Sequence, residues 1–211
     1  MSKLITFIFC INILQGEVAE DICFRYGFIG QLQSSPDSTV ELGDKSIVHT
    51  GDEVRINIGY VKDSYFYLIY LDSEGLYSMH LPEDSADENR LDTLYTTILQ
   101  GRLSGSTGNE TFYLLNRNTP LAELTKLLSR YELAPRKGKI KLGKKIQTQL
   151  DALDPDVKAD LSSIASRLDK PLVGGVTFRG KDDDDLKAGS LTHECNGSAG
   201  IAFKKIVLDH K

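Results

Sequence analysis

Tyr65-Phe66-Tyr67-Leu68-Ile69-Tyr70-Leu71 is apolar or aromatic at every position. A strand with one wet face alternates polar and apolar residues, because successive side chains point to opposite sides of the sheet. This run offers no polar face to water, so it predicts a central strand covered on both sides. Asp72-Ser73-Glu74-Gly75 follows as a short turn, and Leu76 to Leu81 returns as the second arm of a hairpin. Upstream, Val54, Ile56 and Ile58 alternate with Arg55, Asn57 and Gly59, the pattern of a half-buried strand entered through the turn Thr50-Gly51-Asp52. Downstream, Pro82 to Asp92 is polar and acidic and reads as a surface loop. Ser104 to Gly108 is a turn, and Thr111 to Leu115 another strand. The β signal runs from Ile22 to Leu115.

From Thr119 to Lys170 the pattern becomes helical. Thr119 is placed to cap a helix with Pro120 at its first position. Leu121, Leu124, Leu128 and Tyr131 then share one face, and Pro135 closes the helix. Ile146, Leu150 and Leu153 form a stripe on Lys144 to Leu153. Asp154-Pro155 opens a further helix lined by Val157, Leu161, Ile164 and Leu168 and stopped by Pro171. From Leu172 onward the signal is β again, with strands at Val173–Arg179 and Gly200–His210 around the charged loop Lys181–Gly189. Strands at both ends with helices between them predict an α+β domain whose last strands rejoin the first sheet.

The chain has 211 residues, 40% of them hydrophobic and 26% charged, with a formal net charge of −5. That length sustains a core without metals or dense disulfides. The basic cluster from Arg136 to Lys145 stands alone, without aromatic residues to stack bases, so no nucleic-acid footprint is read.

Lys3 precedes the apolar run Leu4 to Leu14, and a polar stretch ends at Ala19. Residues 1–19 are read as a secretory signal peptide, since the run is shorter than the roughly 20 apolar residues of a membrane span. The alternative is a buried N-terminal strand. Export leaves residues 20–211 as a single β-rich domain with its helical segment at 119–170, located in the periplasm or outside the cell, with no transmembrane segment in the mature chain. Removing the signal takes Cys10 with it and leaves Cys23 and Cys195, a candidate disulfide for an oxidising compartment. Such a bridge would close a loop of about 170 residues and stabilise by roughly 5 kcal/mol in the chain-entropy model. The alternative is two unpaired thiols.

Leu42-Gly43-Asp44, the run Thr50-Gly51-Asp52-Glu53-Val54-Arg55-Ile56, the aromatic strand Asp63 to Tyr70, Asp72-Ser73-Glu74-Gly75 and Gly108-Asn109-Glu110-Thr111-Phe112 together form a pattern. It resembles the bacterial family called domain of unknown function 4384, over roughly Phe24 to Leu128. Leu81-Pro82-Glu83 fits that family's next motif, but the Asn that usually follows is absent. The resemblance implies a β-sandwich-like accessory module of the cell envelope and carries no catalytic residues. The expected fold is therefore α+β: a mainly antiparallel, β-sandwich-like domain with an insertion of two to three helices before the C-terminal strands.

Tyr60, Tyr65, Tyr67, Tyr70 and Tyr77 are candidate binding residues, because tyrosine presents an apolar ring with a polar tip to a glycan or peptide. The competing role is to fill the core and its rim. His193 and Cys195, two apart, share a strand face and invite a thiol-enzyme reading, although no oxyanion loop is evident. Asp182 to Asp185 lacks the glycine and bidentate Glu of a calcium loop and reads as a solvated stretch. The four histidines show no ligand spacing, and Val173-Gly174-Gly175-Val176 lacks a phosphate-loop ending. No catalytic residue, metal or cofactor is assigned. The expectation is a non-catalytic envelope module that binds a protein or glycan. The alternatives are a thiol-dependent enzyme using Cys195 and His193, and a structural subunit of an envelope assembly.

Overall fold

The computed structural model describes residues 22–59, 64–80, 95–155, 193–197 and 200–211. The expected signal peptide at 1–19, Tyr60, the loop expected at 82–92, the helix expected beyond Pro155, the strand expected at 173–179 and the acidic run at 182–185 lie outside the described residues.

The aromatic run is strand β5 (Tyr65–Leu71), and it is buried on both faces as its composition requires. It lies in one sheet with β3 (Ile47–Val48), β6 (Tyr77–His80), β8 (Gly108–Arg117) and β10 (Ile201–His210), in the order β3-β10-β8-β5-β6. A second sheet runs β2-β1-β4-β7, from β1 (Cys23–Gln31), β2 (Thr39–Glu41), β4 (Glu53–Gly59) and β7 (Tyr95–Arg102). The short β9 (His193–Asn196) pairs with the first half of β1, on the edge whose second half takes β2. All pairings are antiparallel except that of β3 with β10. The late strands therefore divide: β9 joins the sheet of β1, and β10 joins β8.

Two cores result, and β5 contributes to both. Phe66, Leu68 and Tyr70 face the other sheet, where they meet Phe24, Phe28, Ile56 and Ile58. Tyr65, Tyr67, Ile69 and Leu71 face away from it, under helices α1 (Ala122–Glu132) and α2 (Arg136–Leu153). The chain is an α+β protein of three layers, with the helices inserted before the C-terminal strands and laid on the outer face of the β5 sheet.

Both helix boundaries depart from the sequence reading. Thr119 does not cap α1; the helix begins after Leu121, with no side-chain cap. Leu121 is buried, and its backbone N–H donates instead to the Tyr67 hydroxyl at 2.8 Å. A tertiary partner has replaced a local one. Helix α2 starts at Arg136, eight residues before the stripe that announced it, because its first half covers no continuous apolar surface and carries Gly138 and Gly143. Gly143 lies beside the Tyr77 and Tyr131 rings, where a Cβ would make ordinary van der Waals contact at 3.5 and 3.6 Å.

The Gly-Asp turn before β4 is a packing device. Gly51 has φ +94°, and a side chain there would collide with Gln33. Asp52, 2% exposed, accepts from the Gln33 and His49 backbone N–H groups, both at 2.8 Å.

Burial of β5 on both faces has a measurable consequence. Leu68→Ala, on the inter-sheet face, and Ile69→Ala, on the helix face, should each cost about 2–5 kcal/mol in urea unfolding. A two-layer sandwich would leave the second substitution nearly neutral.

Candidate functional site

The tyrosines singled out in the sequence separate by strand face. Tyr70 points between the sheets, where its hydroxyl donates to Glu110 at 2.5 Å. Tyr65, Tyr67 and Tyr77 lie on the helix face. Tyr67 is 2% exposed and tied to the start of α1, which leaves it a core role. Tyr60 lies outside the described residues. Among the described residues, Tyr77 lines a cavity.

That cavity is a groove of about 1160 Å³ between the β5–β6 hairpin and α2. Its floor is held by aromatic contacts and hydrogen bonds. The Tyr77 ring meets Tyr131 edge-on at 5.7 Å, and the Tyr77 backbone N–H donates to the Tyr131 hydroxyl at 3.2 Å. The Tyr77 hydroxyl donates to Gln147 Oε1 at 2.6 Å, and Gln147 Nε2 donates to Asp151 at 2.7 Å. Burial first, and then Tyr113 and Asp151 nearby, push the Tyr77 phenol far above its ordinary range, so it remains a donor.

The groove's walls are basic and apolar. Arg136, Lys139 and Lys144 line it, with Glu74 the one acid among its lining side chains. Lys139 sits over the Tyr131 ring at 5.2 Å. The first turn of α2 has no acidic residue, so the positive end of the helix dipole adds to these cations. Leu76 and Ile140, 42% and 64% exposed, also line the groove, and Leu133, 87% exposed, stands on the turn into α2. These are three of the four large apolar side chains exposed among the described residues, so apolar exposure concentrates at this end of the fold.

The sequence could not assemble this site. Its cations were visible as a cluster without aromatic partners, and the partners, Tyr77 and Tyr131, come from β6 and α1. The apolar members, Leu76 and Ile140, carry no signal until their exposure is known.

His193 and Cys195 share a face of β9 but have other partners. The His193 ring stacks on Tyr26 at 5.0 Å, and its Nε2 lies 2.6 Å from Glu41 Oε1. The Cys195 thiol, nearly buried, donates to the Phe203 carbonyl at 3.4 Å. Burial pushes that thiol up to about 11, the opposite of what a nucleophilic cysteine needs. The Cys23–Cys195 bridge is not formed, and both thiols are free. The register explains this: Cys195 pairs with Phe24, which puts Cys23, one residue along, on the other face of the sheet.

Among the described residues no three His, Cys, Asp or Glu side chains gather to hold a metal. No helix among them is long and apolar enough to cross a membrane.

The two thiols should differ in reactivity. With iodoacetamide at pH 8 and no reductant, the native protein should be alkylated at half-buried Cys23 well before Cys195. Cys195 modification should accelerate as pH rises toward about 11. Peptide mapping over time reads both rates; equal rates at pH 8 would contradict the buried, protonated thiol. Comparison of the chain with protein-family models, curated proteins and solved structures finds no match.

Proposed function

We propose that this chain is a non-catalytic module of a bacterial cell envelope, exported through its N-terminal segment, that binds a protein partner in the groove between the β5–β6 hairpin and α2. The carrying observation is the groove's composition: exposed Leu76 and Ile140 beside Arg136, Lys139 and Lys144 over a hydrogen-bonded aromatic floor. That combination favours an acidic segment with an apolar anchor. A fixed floor lowers the ordering cost of binding, and the cations speed encounter with an acidic partner.

A glycan fits less well. Sugar recognition by tyrosine uses an open ring face and a free hydroxyl, whereas the Tyr77 ring packs on Tyr131 and its hydroxyl is engaged by Gln147. The raised Cys195 thiol weighs against the thiol-enzyme alternative.

Two experiments test the reading. A fluorescent twelve-residue Glu/Asp peptide carrying one Leu and one Phe should bind more weakly as salt rises. Binding should fall at least about tenfold with Ile140→Asp or with Lys139→Glu, the loss of about 1.4 kcal/mol. Equal binding of a Lys-substituted peptide would overturn the protein-segment reading, and stronger binding of polygalacturonate would move it to an anionic glycan. Intact mass after expression in a bacterial host should show loss of about the first 16 to 19 residues; an uncleaved chain in the cytoplasm would remove export.

A further inference from the structure

A second cluster lies away from the groove, at one end of the inter-sheet core. Thr50, in the turn between β3 and β4, has its hydroxyl 3.0 Å from His210 Nε2, on the last residue of β10. His210 Nδ1 is 3.2 Å from Glu110 Oε1 on β8. The other Glu110 oxygen accepts from Tyr70 on β5. Four separate segments therefore meet in one hydrogen-bonded chain. The His210 side chain is wholly buried and that of Glu110 is 2% exposed, while Thr50 is exposed to solvent.

The direction of each bond follows from what each group can do. Burial and Glu110 hold the Tyr70 phenol far above its ordinary range, so it donates to the carboxylate. A Glu110 carboxylate accepts as well from His210, which assigns the ring proton to Nδ1. Nε2 then carries the lone pair and accepts the Thr50 hydroxyl proton. A surface hydroxyl on a buried imidazole base, itself oriented by a buried carboxylate, is the arrangement that activates a nucleophile.

We propose that Thr50 is a reactive hydroxyl that accepts an acyl group from an activated ester or thioester, with His210 as its base and Glu110 as the positioning residue. Thr50 Oγ1 bonds to the acyl carbon, and the bond from that carbon to the leaving oxygen or sulfur breaks. The hydroxyl proton moves to His210 Nε2 and passes to the leaving group, so the products are O-acyl-threonine and the free alcohol or thiol. The reaction is stoichiometric. The backbone N–H groups of Thr50, Gly51 and Asp52 already donate to Lys211, Leu103 and His49 and do not serve an oxyanion, so the single acylation rests on base activation by His210.

The test is exposure of the folded full chain to p-nitrophenyl acetate, with the acetyl group located by peptide mapping. Acetylation of Thr50 should exceed that of other exposed Ser and Thr hydroxyls by on the order of a hundredfold. Thr50→Ser should retain it. His210→Gln should remove the excess, and so should unfolding the wild-type chain in urea, which tests the relay even if that variant folds poorly. Glu110→Gln should leave Thr50 in place but shift the pH at which acetylation becomes half-maximal, a change that loss of packing alone would not cause. Thr50 labelling no faster than its neighbours, or selectivity that survives urea, would overturn the proposal.

Discussion

The fold depends on the requirement that β5 be buried twice. A strand with a period of two gives half its side chains to each face, and in Tyr65–Leu71 both halves are apolar. One sheet can cover only one of them. Leaving Tyr67 and Ile69 in water would forgo about 1.5–3 kcal/mol for each such side chain, so a third layer is needed, and α1 and α2 supply it. The tyrosines add a directional demand, because a buried phenol needs a hydrogen-bond partner. Tyr67 accepts from the backbone N–H of Leu121, the residue just before α1, and Tyr131 accepts likewise from the Tyr77 backbone. Burial of rings thus fixes where the helices begin and how they lie on the sheet.

The groove is a by-product of that attachment. α1 and the second half of α2 pack against the sheet through Leu124, Leu128, Ile146 and Leu150. The first half of α2 runs beside the β5–β6 hairpin, with Gly143 next to the Tyr77 and Tyr131 rings. On that half Ile140 is 64% exposed while Leu142 packs partly buried against the helix-side core, and Ile146, less than two turns on from Ile140, is fully buried.

Periodicity made the main strands and the helical faces legible. The doubly apolar β5 and the Leu121–Tyr131 stripe carry their burial in their own residue order, whereas β4 alternates only as far as Ile56, since Asn57 and Gly59 are buried with Ile58. What was not legible depends on pairs distant in sequence. The start of α1 is set by Tyr67, 54 residues away, and not by the nearby Thr119. Cys23 and Cys195 are brought to neighbouring strands, yet the register turns them apart by one residue. Glu110 looked like part of a family's turn-and-strand punctuation, and its partner His210 lies 100 residues on. Of the five tyrosines, strand parity alone separates Tyr70 from Tyr65 and Tyr67, but nothing in the sequence marks Tyr77 as the one beside exposed Leu76 and Ile140.

Helix α2 breaks the usual local rules at both ends, and most heavily at its start. Its first turn lacks an acid to meet the dipole, it has no side-chain cap, six cations crowd residues 136–145, and two glycines interrupt that same stretch. Each feature weakens a helix by a fraction of a kcal/mol to about one. The second half, from Ile146 on, is buried on its sheet side, and its one departure is a last turn that carries Asp151 and no cation. A helix optimised for stability would have distributed such costs or avoided them. Their greater weight falls at the start of the helix, where Arg136, Lys139 and Lys144 line the groove beside its aromatic floor, as the proposed binding role would require.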